Sequence, residues 1–254
     1  IRDRVYGLLM VMFLSGCEEP LSAEEIRIRS ANISNVSWWK SATAEMLKKE
    51  IENKADVNFK GIYGESPLNM AIDECKDIEI IKLLIENGAE VNFKKDDRAP
   101  TPLIGFFYNN CQNFNVAKYL VDEGAEVNEV WRGMTPLMYA VSTNADLVEF
   151  LIKNDADINW GNGRETALSI AINENKPEIV KMLLKHGAEV NEDAGRLPLI
   201  IALRNTKILK VLLENGADVN AIDSRGFTAL LALLAEQSLS LIHISEPTRL
   251  LSIS

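Results

Sequence analysis

Three cysteines and two histidines are the side chains of this chain most able to form covalent bonds or hold a metal: Cys17, Cys75, Cys111, His186 and His243. They are scattered, whereas a zinc site wants paired ligands a few residues apart, so no metal and no other cofactor is expected. No serine–histidine–aspartate, cysteine–histidine or paired-carboxylate arrangement stands out, which points away from an enzyme. The remaining chemistry is attachment and recognition. Cys17 follows a short apolar run, and Cys75 and Cys111 could pair with one another. Phe59, Tyr63, Phe93, Arg98, Trp131, Arg132, Trp160, Arg164, Arg196 and Arg225 are aromatic and arginine side chains of the kinds that dominate binding hot spots. The net charge is −10 and no Lys/Arg-rich run occurs, which excludes nucleic acid as a partner.

The elements that would position these groups begin with an N-terminal export signal. Arg2 and Arg4 precede an uncharged apolar run from Val5 to Leu14, followed by Leu14-Ser15-Gly16-Cys17. A basic n-region, an apolar h-region of about ten residues and a small-residue cleavage site describe a signal peptide. A helix of that length spans about 15 Å, half the hydrocarbon core, so it does not read as a membrane span. Leu14-Ser15-Gly16-Cys17 resembles the lipobox of bacterial lipoproteins. The resemblance implies cleavage before Cys17, lipidation of Cys17 and attachment to a membrane by several acyl chains. Glu18 after the cysteine, where aspartate would favour inner-membrane retention, points to the periplasmic face of the outer membrane. The competing reading is a buried apolar helix with an incidental cysteine. Residues 1–16 are thus read as signal peptide and 17–36, of mixed charge and no clear periodicity, as a tether.

Internal repetition decides the fold expected for the rest. One phrase recurs at Lys54-Ala55-Asp56-Val57-Asn58, Gly88-Ala89-Glu90-Val91-Asn92, Gly124-Ala125-Glu126-Val127-Asn128, Asp155-Ala156-Asp157-Ile158-Asn159, Gly187-Ala188-Glu189-Val190-Asn191 and Gly216-Ala217-Asp218-Val219-Asn220. The closing asparagines are 34, 36, 31, 32 and 29 residues apart. A second phrase precedes each but the first: Ser66-Pro67-Leu68, Thr101-Pro102-Leu103, Thr135-Pro136-Leu137, Thr166-Ala167-Leu168 and Leu197-Pro198-Leu199, with Thr228-Ala229-Leu230 opening a repeat that does not finish. The hydroxyl caps a short helix, proline suits its first position, and glycine ends the second helix in the left-handed region. Apolar residues such as Ile80, Ile81, Leu83, Leu84 and Ile85 then recur at helical spacing.

These landmarks resemble those of ankyrin-repeat proteins. The resemblance implies an all-α repeat solenoid of helix-turn-helix repeats joined by β-hairpin loops, a non-enzymatic interaction module that binds a protein on its concave face. It covers 37–238: a half repeat 37–58, repeats 59–92, 93–128, 129–159, 160–191 and 192–220, and a truncated repeat 221–238. Thr43 is expected to cap a helix through Glu52, with Trp38 and Trp39 covering the open end of the stack. Where this family often has histidine after Thr-Pro-Leu, Asn69, Ile104, Met138, Ser169, Ile200 and Leu231 stand instead. Leu197 replaces the capping hydroxyl, so the fifth repeat's first helix should be weaker. His186, in Lys185-His186-Gly187, reads as a structural cation at a helix end.

Cys75 and Cys111 lie nine and ten residues past Ser66 and Thr101, in loops lengthened relative to the next two repeats. In an oxidising compartment this arrangement would allow an inter-repeat disulfide; otherwise both are free thiols. Repeats stacked about 10 Å apart would need the longer loops to close it. The run Leu239-Ser240-Leu241-Ile242-His243-Ile244-Ser245-Glu246-Pro247-Thr248-Arg249 resembles a translated sequencing adapter, so 239–254 are read as a non-native tail rather than an apolar end of the solenoid. Residue 1 is Ile, and the gene is expected to extend at both ends.

The hairpin aromatics and arginines are the expected partner-binding residues. The five arginines, one per successive hairpin, suggest a ligand presenting carboxylates, although arginine is also common at this place in the family. The function expected is a monomeric, lipid-anchored periplasmic module holding an unknown protein partner. The alternative is a soluble cytoplasmic inhibitor or immunity-type protein.

Overall fold

The computed structural model describes residues 20–192 and 196–235. One compact unit runs to Glu74 and takes in Glu79–Glu90; the other takes Cys75–Ile78 and the chain from Val91 onward.

In the first unit, α1 (Ala23–Arg29), α2 (Val36–Trp39), α3 (Ala44–Glu52), α4 (Pro67–Asp73) and α5 (Ile78–Glu86) follow one another. The segment read as a tether is folded from α1 onward. Ser22 Oγ accepts the Glu25 N–H at 3.2 Å while the Glu25 carboxylate takes the Ser22 N–H at 2.9 Å, a reciprocal cap. Beyond α1, Ser30 and Ile33 are fully buried, and Ser30 Oγ accepts the Asp56 N–H at 2.9 Å. The sequence shows no periodicity here because α1 buries no residue of its own; its cap and the chain that follows hold it. The short α2 of the half repeat packs on α4, the place a first helix takes in the repeats that follow. Thr43 caps α3 through the Met46 N–H at 3.3 Å. Trp39 is 0% exposed; its indole N–H donates to the Ile33 carbonyl at 2.9 Å, and Trp38 meets it edge-on at 4.9 Å.

The second unit contains α6 (Pro102–Tyr108), α7 (Phe114–Asp122), α8 (Pro136–Thr143), α9 (Ala145–Lys153), α10 (Ala167–Asn173), α11 (Pro177–Lys185), α12 (Pro198–Ile201) and α13 (Thr206–Glu214); residues 229–235 are also helical. First helices α6, α8, α10 and α12 pack in one row, and second helices α7, α9, α11 and α13 in another. Leu103, Leu137, Leu168 and Leu199 line the first row, while Leu120, Leu151, Leu183 and Leu212 line the second, all buried. Each buried leucine contributes about 1.5–3 kcal/mol against about 1 kcal/mol for a cap, so the rows carry the fold. Thr101, Thr135 and Thr166 nevertheless each accept the N–H three residues on. Leu197 has no such bond. Its helix runs four residues and tightens into a 3₁₀ turn at Ala202–Arg204.

Two positions of the recurring phrase have structural roles. Gly88, Gly124, Gly187 and Gly216 take φ between +86° and +96°, and where glycine is absent Lys54 and Asp155 are held at +65° and +62°. The asparagines clamp each repeat to the next. Asn128 Nδ2 donates to the Asp155 carbonyl at 2.9 Å, and its Oδ1 accepts the Asp157 N–H at 2.8 Å. Asn58 does the same to Gly88 and Glu90, Asn92 to Gly124 and Glu126, Asn159 to Gly187 and Glu189, and Asn191 to Gly216 and Asp218. Asn128→Ala should cost about 1–2 kcal/mol, since two neutral bonds are lost at a partly hydrated site. Urea unfolding would measure it, and an unchanged midpoint would remove the clamp from the account. Among the described residues no β-strand forms. The expected hairpins shrink to single bridges, Trp131 with Met134 and Gly161 with Thr166, because the left-handed turn leaves too few residues to extend a ladder.

Candidate functional site: an aromatic and arginine cluster beside the hairpins

In the second unit, the hairpin that opens at Trp131 is closed by two backbone bonds, each 3.0 Å, between Trp131 and Met134. Arg132 sits inside it at φ +51°, and Gly133 follows at +76°. This left-handed pair turns the chain tightly and directs successive side chains apart. Trp131 packs inward, 7% exposed, and its indole N–H donates to the Arg98 carbonyl of the preceding hairpin at 2.6 Å. Lys94 Nζ meets Glu129 at 2.6 Å, and Asn162 Nδ2 donates to the Gly133 carbonyl at 3.1 Å, so consecutive hairpins are laced together. The Lys94 ammonium is held above its ordinary pKa by the bond to Glu129.

Tyr108, the last residue of α6, meets Trp131 edge-on at 4.9 Å and Tyr139 of α8 at 6.1 Å. The Arg132 guanidinium lies over the Trp131 ring at 4.3 Å and near the Tyr108 ring at 5.6 Å, with Nη1 donating to the Tyr108 hydroxyl at 3.4 Å. Burial holds the Tyr139 phenol above its ordinary pKa against the opposing pull of Arg132. Tyr108 and Tyr139 were missed in the sequence. Tyrosines at the end of one first helix and within the next, flanking a hairpin tryptophan, are the signal that would have found them.

The ten residues expected to bind do not all remain available. Phe93 and Trp131 are 8% and 7% exposed and offer a partner little surface; both fill space under the hairpins because these loops are too short to project every ring. Phe59 and Trp160 are half-buried, while Arg98, Arg164 and Arg196 are exposed. Arg225 is already engaged: Nε and Nη2 both donate to Asp223 Oδ2, at 3.2 and 2.9 Å. Burial would raise the Asp223 carboxyl, but N–H groups of Phe227 and Arg225 and the guanidinium outweigh it and hold the pKa below its ordinary value.

Tyr63, 66% exposed, borders an open groove of about 1080 Å³ in the first unit, with Ile28, Val36, Phe59, Ile62 and Met70 among its walls. The groove's edge is tight at Gly61, where a Cβ would stand 2.6 Å from the Ser34 carbonyl oxygen.

Cys75 and Cys111 are joined by a disulfide within the second unit, their Cα atoms 5.4 Å apart. Cys75 reaches this position with φ +46°, and Cys111 follows Asn110 at +55°. Cys17, the signal segment 1–16 and the tail 239–254 lie outside the described residues. Among the described residues no group of His, Cys, Asp or Glu is arranged for a metal, and no helix is long and apolar enough to cross a membrane.

A family model described as "Ankyrin repeats (3 copies)" matches residues 68–162 and 159–223. Among solved structures, the crystal structure of the human ASB11 ankyrin repeat domain is similar, with TM-score 0.65 and 26% identity over 84% of this chain and 96% of that one. No curated protein sequence matches the chain.

Proposed function

Because the chain belongs to the ankyrin-repeat family, whose fold serves as an interaction scaffold, we propose that it is a lipid-anchored module of the bacterial envelope that binds a protein partner along its hairpins and first helices. One observation carries the binding half of this reading. Tyr108, Tyr139 and Arg132 gather on that side of the repeats around a tryptophan already locked in place. Rigid aromatic and arginine side chains lose little entropy on binding and bury much area, which makes such groups hot spots. The anchoring half rests on the arginines, apolar run and Cys17 of the N-terminus. The Cys75–Cys111 pair favours an oxidising compartment such as the periplasm.

One experiment tests both halves. Bacteria carrying the chain with a photo-crosslinking side chain at Arg164, or at Glu178 on a second helix, are labelled with radioactive palmitate, alongside the same chains bearing Cys17→Ala. Label that vanishes with Cys17→Ala, and adducts formed from Arg164 but not Glu178, are the expected results. No label in any chain would discard the anchor and leave the cytoplasmic inhibitor reading. Adducts from Glu178 alone would move the partner to the other face.

A further inference from the structure

Resting on the binding reading above, we infer that Arg132 and Tyr108 form a preorganised receptor for a single carboxylate, an aspartate or glutamate side chain of the partner segment. The five hairpin arginines are not equivalent in space. Arg225 spends its fork on Asp223. Arg132 makes no ion pair with any described residue: its contacts are the rings of Trp131 and Tyr108 and one bond to the Tyr108 hydroxyl. A guanidinium carries five N–H donors in one plane, so most of the fork's edge remains to be satisfied.

The geometry favours a planar, bidentate acceptor. The guanidinium carbon sits over the Trp131 ring at 4.3 Å, which holds the group in place. Trp131 cannot swing away, because its backbone is paired twice with Met134 and its indole N–H is held by Arg98. The parallel N–H donors of a planar guanidinium match the two oxygens of a carboxylate. The Tyr108 hydroxyl accepts from Arg132 and so keeps its own proton for the same anion. Its ring, 50% exposed, offers an apolar shelf to the residue next to the acid. A phosphate, near two negative charges, is the poorer fit: a single guanidinium faces it in a chain of net charge −10.

The test uses two short blocked peptides, Gly-Leu-Glu-Leu-Gly and its glutamine counterpart, titrated to millimolar concentration into the full chain. Binding is followed by NMR at the Arg132 Nε, the Tyr108 and Tyr139 rings and the Trp131 indole. The acidic peptide should shift these signals saturably and the glutamine peptide should not. Arg132→Gln should weaken the response at least tenfold, and Arg132→Lys, which keeps the charge but not the plane, should fall between. Thermal unfolding of each variant, expected to stay near that of the parent, separates lost binding from lost structure. Equal shifts from both peptides, shifts at Arg164 or Arg196 alone, or none at all would overturn the carboxylate assignment. The crosslinking experiment judges the binding face independently, so the two readings fail separately.

Discussion

Reduction of the Cys75–Cys111 bond should lower the stability of the second unit by about 3–4 kcal/mol. The bond closes a loop with a sequence separation of 36, and constraining a loop of that length removes this much entropy from the unfolded chain. The two cysteines differ in surroundings, which sharpens the expectation. Cys75 is exposed whereas Cys111 is buried at 3% exposure. Cys75→Ser should therefore match the reduced protein, while Cys111→Ser also places a polar hydroxyl in a buried site, costing about 1–3 kcal/mol more. Urea unfolding of oxidised, reduced and substituted chains reads these differences directly. Because repeats contact chiefly their neighbours, the loss should concentrate around α6 and α7 and fade towards α13. Alkylation without prior reduction that modifies Cys75 or Cys111 would sink the prediction at its premise.

Trp39→Ala should destabilise the first unit by about 3–5 kcal/mol, the usual cost of emptying a large buried aromatic site. The ring is wholly enclosed, and its N–H answers the Ile33 carbonyl in the stretch joining α1 to α2. Removing it opens a cavity and leaves that carbonyl without its partner. Trp39→Phe keeps most of the volume but not the donor, so a cost of about 1–2 kcal/mol is expected. Hydrogen exchange is the informative measurement. Protection should fall first at α1, α2 and α3, with α8 to α11 unchanged. A uniform loss across the chain, or none, would contradict the role assigned to Trp39.

The repeats were legible because every landmark answers a local need. A hydroxyl before proline and leucine satisfies helix N–H groups, and glycine supplies a backbone region that side chains resist; both are written in a few adjacent residues. At Leu197, where the hydroxyl is absent, no cap bond forms and the helix that follows runs four residues before tightening. Other features depended on partners distant in sequence. The tether reading failed because Ser30 and Ile33 are buried by residues that no periodicity connects to them. Trp131 and Trp160 read alike as hairpin aromatics, yet only Trp131 is buried, its N–H taken by a carbonyl one repeat away. Asn69 and Ser169, standing where the family often has histidine, each bond to the cap of their own helix, Ser66 and Thr166. Tyr108 and Tyr139 escaped notice because the expected residues were drawn from the hairpins and none from the first helices beside them.

The asparagine clamps all point one way along the chain: each amide is completed by backbone that comes later. On the ribosome this direction becomes an order of events. A repeat that has just emerged has its leucines in place but its asparagine unanswered until roughly thirty more residues follow, about 2–6 s at typical synthesis rates of about 5–20 residues per second. During that interval the newest repeat is the loosest part of the nascent protein, and everything behind it has already been latched. Growth from the N-terminus thus proceeds as a ratchet, in which each arrival secures its predecessor.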